Sequence, residues 1–206
     1  MREKRPISIL IIIFSLALFC SYHIYYYFVN MANNNLKNKY YELEITETIN
    51  TNLLERVGYI DNDKSNSKKE EYMGLLIIPK IKLEEGFYNK ESNYNNVSNS
   101  VTLLKESIMP ENNGSIVYFA AHSGVGHLAY FKDIDKLTNG DIIKLKYNGR
   151  EYIYTITNIY EMIKNGKIEV ERNTHEDYLV LTTCSKNKNM QLIIVSKLLN
   201  KKWYNK

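Results

Sequence analysis

Hydrophobic positions fall into two regimes along the chain. From Ile7 to Val29 there are 23 residues without a single Asp, Glu, Lys or Arg. Beyond Asn30 no apolar run is longer than a strand. Residues 33–59, "NNNLKNKYYELEITETINTNLLERVGY", are polar with scattered apolar positions and predict a helical spacer. Residues 60–72, "IDNDKSNSKKEEY", are charged and polar and predict a linker. From about Met73 to Trp203 short β-rich runs dominate. "GLLIIPKI" is the first, and Pro79 places it at an edge or a strand end. "GSIVYFAAHS" follows. In "HLAYFKDIDKL" the spacing of Leu128, Phe131, Ile134 and Leu137 predicts a short helix. "DIIKLKYNGREYIYTITNIYEM" reads as two strands joined at Asn148-Gly149, a strong hairpin signal. "YLVLTTC" and "QLIIVSKLL" are the last two. At least six short strands with one or two short helices predict a closed antiparallel or mixed barrel.

The apolar N-terminal segment changes where that barrel is expected to work. About 20 apolar residues suffice to cross a bilayer. Arg2, Lys4 and Arg5 precede the segment, and Tyr25, Tyr26 and Tyr27 stand where an interfacial aromatic belt would lie. A cleaved signal peptide would place small residues after the apolar core, whereas this core runs into the bulky "FCSYHIYYYF". "LALFC" has Phe19 where a lipoprotein box needs a small residue. The expectation is a cytoplasmic tail over residues 1–6, a single transmembrane anchor over 7–29, a spacer and linker over 30–72, and a domain over 73–203 outside the membrane.

Composition then narrows the chemistry. A net charge of +4 is too small and too dispersed to argue for nucleic acid. The chain has no glycine-rich phosphate loop and no zinc-like cysteine spacing. No cofactor and no metal is expected. Cys20 and Cys184 are the only two cysteines, and Cys20 lies in the apolar segment, so Cys184 is a lone thiol. A lone Cys is commonly a small buried hydrophobe. An unpaired thiol in an oxidising compartment is a candidate for reactivity. Cys184 also ends its strand instead of sitting inside it. His122 ends another apolar run, "SIVYFAAH", before the small residues "SGVG". Alone it reads as a hydrogen-bonded core histidine. Together the two form the pairing that acyl transfer needs, a nucleophile beside a base. Thr183 and Gln191 are candidate donors to the oxyanion. His127 and His175 read as surface or capping residues.

In order along the chain, "GLLIIPKIKL", "YFAAHSG" with His122, "FKDIDKLTNGDIIKL", and "YLVLTTCS" with Cys184 resemble the sortases, the membrane-anchored cysteine transpeptidases of Gram-positive bacteria. The resemblance spans about Gly74 to Leu199. It implies a mainly β fold, a closed eight-stranded sortase-type barrel with short helices. It implies attack by Cys184 on the Thr–Gly bond of a C-terminal LPXTG-like sorting motif, a thioester acyl-enzyme, and its resolution by an amine. His122 would protonate the leaving amine and deprotonate the incoming one. The implied partners are exported proteins carrying that motif and an amine acceptor on a peptidoglycan precursor or a pilin. A cysteine hydrolase of the same geometry and a weakly active anchored binding module are the alternatives. Sortases usually place an Arg on the strand after the Cys; the matching position here is Gln191, with Lys186, Lys188 or Arg172 as cations able to reach in. The chain shows neither a second apolar segment nor a lid segment. The acidic Glu84, Glu85 and Glu91 read as a calcium site or equally as a solvated charged face. The substrate pocket is expected along residues 162–177.

Overall fold

The computed structural model describes the backbone of residues 5–54, 71–111 and 113–203, with side chains apart from those of 5–8, 44–54 and 203. The tail over residues 1–6 and the linker over 60–72 fall largely outside the described residues. The chain divides into two compact units, residues 1–36 and 37–206.

One helix, α1 (Arg5–Leu54), carries the apolar segment and the expected spacer as far as Leu54 without a break; residues 55–59 lie outside the described residues. It contains neither Pro beyond its second residue nor Gly, so no helix breaker intervenes. Ile9–Leu43 is long and apolar enough to cross a membrane, and its apolar side chains are exposed.

The second unit holds eight strands: β1 (Gly74–Ile78), β2 (Leu83–Phe87), β3 (Thr102–Leu103), β4 (Ile116–Ala120), β5 (Ile142–Tyr147), β6 (Arg150–Ile163), β7 (Tyr178–Cys184) and β8 (Met190–Trp203). They form one sheet in the order β2-β1-β5-β6-β8-β7-β4-β3. The sheet curls into a nearly closed barrel. Its two ends meet through the core, where Phe87 of β2 packs edge-on to Phe119 of β4 at 4.9 Å between ring centroids. Every strand pair is antiparallel except β4 with β7.

Local chemistry explains the elements. Pro79 ends β1 by starting a 3₁₀ turn, as its missing N–H demands. Asn148 and Gly149 both take positive φ, 50° and 67°, the requirement of a type I′ hairpin between β5 and β6. The short helix expected over 127–137 is instead a string of turns with a 3₁₀ segment at Ile134–Lys136. Phe131, Ile134 and Leu137 are still buried, because a chain of turns presents them to the barrel as well as a helix would. Two strands escape a periodicity reading. β2, "LEEGF", carries two consecutive glutamates, and β3 has only two residues.

Alternation sorts the side chains into two layers. Val117, Phe119, Leu179, Leu181 and Ile194 point into the main core with Leu76, Ile78, Phe87, Leu145, Tyr152 and Tyr154. Ile116, Tyr178, Val180, Ile193 and Val195 point to the outer face and form a second cluster with Ile168 and Val170 of the segment after β6. Full burial of such a side chain stabilises by about 1.5–3 kcal/mol. The register of β6 against β8 shifts between Ile156 and Asn158. Before that irregularity the even-numbered Tyr152, Tyr154 and Ile156 face the core; after it Tyr160 and Met162 face outward. The extra residue thus turns the far end of β6 toward the outer cluster.

Candidate active site

The parallel pairing of β4 with β7 decides what stands beside Cys184. Its register runs from Ile116 opposite Tyr178 to Ala120 opposite Thr182. Carried forward two residues, the same offset places His122 opposite Cys184. The two chains remain together over that stretch. The Ala121 N–H donates to the Thr182 carbonyl at 3.4 Å. The Thr183 hydroxyl donates to the Ala121 carbonyl at 2.7 Å, and the Ser123 hydroxyl to the Cys184 carbonyl at 2.7 Å. The Phe131 N–H donates to the His122 carbonyl at 2.9 Å and fixes the chain where it leaves β4. Both His122 and Cys184 are exposed. Alternation puts them on the outer face, the face of Val180 and Tyr118. A thiol ending a buried strand and a histidine ending its parallel neighbour therefore arrive at one edge of the barrel.

The two line a cleft of about 500 Å³ with Ser123, Asp135, Glu161 and Lys186. One wall of it is the turn between β7 and β8. Ser185 and Asn187 both donate to the Glu161 carboxylate, and the Ser185 hydroxyl also accepts from the Asn187 N–H at 2.9 Å. Those hydrogen bonds, first from Ser185 and then from Asn187, hold the Glu161 carboxyl below the usual carboxylate range. Lys186 crosses to Asp135, and its hydrogen bond lowers that carboxyl in the same way.

A second and larger groove, about 870 Å³, lies on the outer face farther down the same strands. Tyr118, Tyr160, Ile168, Val170, Tyr178 and Val195 give it an apolar floor and wall, with Glu169, Glu171 and Glu176 among its polar residues. The segment 164–177 forms its wall, and among the contacts that tie it down the Tyr160 hydroxyl donates to the Glu169 carbonyl and the Gln191 amide donates to the Lys167 carbonyl at 2.6 Å.

The other expected site residues are placed differently. Thr183 points inward, is buried, and commits its hydroxyl to Ala121, so it does not present a donor to the thiol. Gln191 does stand directly opposite Cys184 in the β7/β8 pair, yet its side chain is turned to Lys167. Arg172 donates to the Gly114 carbonyl at 2.9 Å, and Lys186 is engaged by Asp135. Of the acidic residues on and after β2, Glu84 accepts from Tyr41, and burial raises the Glu85 carboxyl. The cation that meets the sulfur is one the sequence reading passed over: Lys164 Nζ donates to Cys184 Sγ at 3.2 Å. Its signal in the sequence is its place near the start of the 162–177 segment expected to line the pocket.

Comparison with known proteins gives the family. Residues 76–199, more than half of the chain, match the model of the Sortase domain. The chain belongs to the sortase family. It is 26% identical over 144 residues to sortase A of Bacillus anthracis, covering 70% of this chain and 67% of that protein. Among solved structures, sortase C of Streptococcus pneumoniae is similar at 25% identity and a TM-score of 0.57, over 65% of this chain and 71% of that one. Sortase A of Listeria monocytogenes shares the fold at 20% identity and a TM-score of 0.56, over 66% and 92%. Membership makes this sortase a cysteine transpeptidase. α1 is a candidate membrane anchor for an enzyme of a family that works at the cell surface.

Proposed function

We propose that this sortase cuts an LPXTG-like sorting motif through a thioester on Cys184 and passes the acyl group to an amine, with His122 carrying the proton. The observation that supports it is the β4/β7 register, which aligns an exposed histidine with an exposed thiol at the lip of one cleft. Sγ attacks the threonine carbonyl carbon, and a tetrahedral intermediate forms. The C–N bond to glycine breaks as His122 protonates the departing amine. An acceptor amine then attacks the thioester, His122 takes its proton, and the sulfur leaves. The donor peptide enters along the outer groove, beneath the 164–177 segment, because Thr182 and Cys184 continue that face.

The substrates are exported proteins with a C-terminal sorting motif, and the acceptor is an amine of a peptidoglycan precursor or of a pilin. α1 crosses the membrane once, with Arg2, Lys4 and Arg5 inside, which sets a catalytic domain of residues 73–203 outside the cell where both substrates are found. The test uses the full chain in detergent micelles with a panel of LPXTG-like peptides. Intact-mass spectrometry should find a peptide acyl adduct on the protein that Cys184→Ala lacks and His122→Ala forms far more slowly. Release by added amines in preference to water supports transfer. An adduct that persists in Cys184→Ala, or release by water alone, refutes this reading.

A further inference from the structure

Acyl transfer from a thiol concentrates negative charge twice, first on the sulfur and then on the carbonyl oxygen of the tetrahedral intermediate. Four of the residues expected to meet that need are occupied elsewhere: the Thr183 hydroxyl on Ala121, the Gln191 amide on Lys167, Lys186 on Asp135 and Arg172 on Gly114. Lys164 is not. Its ammonium donates to Cys184 Sγ at 3.2 Å, from a side chain otherwise exposed to solvent.

The sheet places it there. Met162 of β6 lies opposite Gln191 of β8, and Gln191 lies opposite Cys184 of β7. The Lys164 N–H donates to the Asn189 carbonyl at 2.8 Å, which extends the β6/β8 ladder one residue past Ile163. Lys164 is therefore the next residue on the face of Met162, and that face is the one shared with Cys184. The register shift in β6 turns this end of the strand outward; without it the ammonium would be directed to the other side of the sheet.

We propose that Lys164 is a third catalytic residue. In the resting enzyme its ammonium already donates to Sγ, the contact a neighbouring lysine makes to a nucleophilic thiol. As the S–C bond forms, the same ammonium turns its hydrogen bond to the carbonyl oxygen, where the charge has moved. It keeps its protons throughout, and His122 does the proton transfers. The flexible four-carbon stem and three donors of lysine suit an acceptor that shifts by one bond length. This assignment rests on the thioester reading above.

The experiment uses the full chain in detergent micelles, in a Cys20→Ala background so that only Cys184 reacts. Lys164→Met keeps the stem and removes the charge; Lys164→Arg keeps the charge. The rate of thioester formation with an LPXTG-like peptide is measured in single turnovers over a range of peptide concentration, beside the rate of alkylation by iodoacetamide. Lys164→Met is expected to lose about 100-fold or more in the maximal acylation rate, the scale of one lost oxyanion donor. Its half-saturating peptide concentration should change by less than about threefold, because the donor is used in the transition state. Lys164→Arg should recover most of the loss. Both variants should melt within about 2 °C of the parent, since the substituted side chain is exposed. Acylation of Lys164→Met within about threefold of the parent, well below a lost oxyanion donor, overturns the assignment and leaves the transpeptidase reading standing. A parent that is alkylated at Cys184 but acylated by no peptide overturns the transpeptidase reading itself.

Discussion

Gln191→Met separates two roles that the same side chain could have. By its position opposite Cys184 it is an oxyanion donor; by its hydrogen bond it is a tether for the wall of the outer groove. Methionine keeps the volume and removes the amide. Gln191 is only 9% exposed, so what is lost is one well-formed hydrogen bond in a largely buried setting. The net worth of such a bond is about 1 kcal/mol. The Lys167 carbonyl lies on an exposed residue, where water replaces the amide, so no further desolvation cost is added. One kcal/mol is about a fivefold change in an equilibrium. If the wall must be closed to hold peptide, the KM for a sorting-motif peptide rises about fivefold with kcat unchanged, the mark of lost uniform binding. Amide exchange over 164–177 should accelerate by a similar factor while the core strands stay protected. The assay pairs steady-state kinetics with hydrogen exchange read by mass spectrometry. A drop of about 100-fold in kcat at constant KM would refute the tether and put the amide at the oxyanion. Unchanged exchange over 164–177 would also refute it.

Three other outcomes follow from the fold. Phe119→Ala removes a fully buried ring from the seam where β2 meets β4, and should cost about 3–5 kcal/mol in urea unfolding, with a loss much under 2 kcal/mol refuting the closure of the barrel through that contact. Gly74→Ala places a methyl 2.3 Å from the Lys146 carbonyl oxygen and 2.5 Å from the Phe87 ring. It should destabilise β1 against β5 by about 1–3 kcal/mol, read as a lowered melting temperature, and a neutral effect would contradict that packing. The Glu161 carboxyl is lowered by Ser185 and Asn187, so its grip on the β7/β8 turn is complete above the ordinary carboxylate range and is lost only as pH falls through its depressed value. Amides of Ser185 and Asn187 should keep their protection at pH 5 and lose it only in acid below the ordinary carboxylate range, with Glu161→Gln abolishing the response; loosening already between pH 7 and 5 would contradict it.

The strands that carry the site were legible because each is a long apolar or β-branched run with a chemical stop. "YLVLTTC" ends in a polar turn, "SIVYFAAH" ends in small residues, and Asn148-Gly149 marks its hairpin. What periodicity does not contain is pairing. Nothing in residues 116–123 says that their neighbour is 62 positions away and parallel, and that register is what joins His122 to Cys184. Gln191 stands opposite the thiol, yet the direction of its amide depends on where the 164–177 segment lies, which is a property of packing. Lys164 lies within the expected pocket segment, but its direction was not legible, for a different reason. Its face depends on one extra residue near Asn158, and strict alternation counted from Tyr152 leads to the wrong side of the sheet.

The parallel pair also sets an order in which the chemistry can be assembled. β6, β7 and β8 are near neighbours in sequence, and their antiparallel contacts are the most extensive in the barrel. They bring Lys164, Gln191 and Cys184 together across short chain separations. His122 joins only when β4 docks alongside β7 across a separation of 62 residues that holds β5 and β6, a long-range contact of the slow kind. A nascent or partly folded chain therefore holds its thiol without the histidine that would let it complete a turnover. For an enzyme that makes and breaks amide bonds, activity is withheld until that parallel pair is in place.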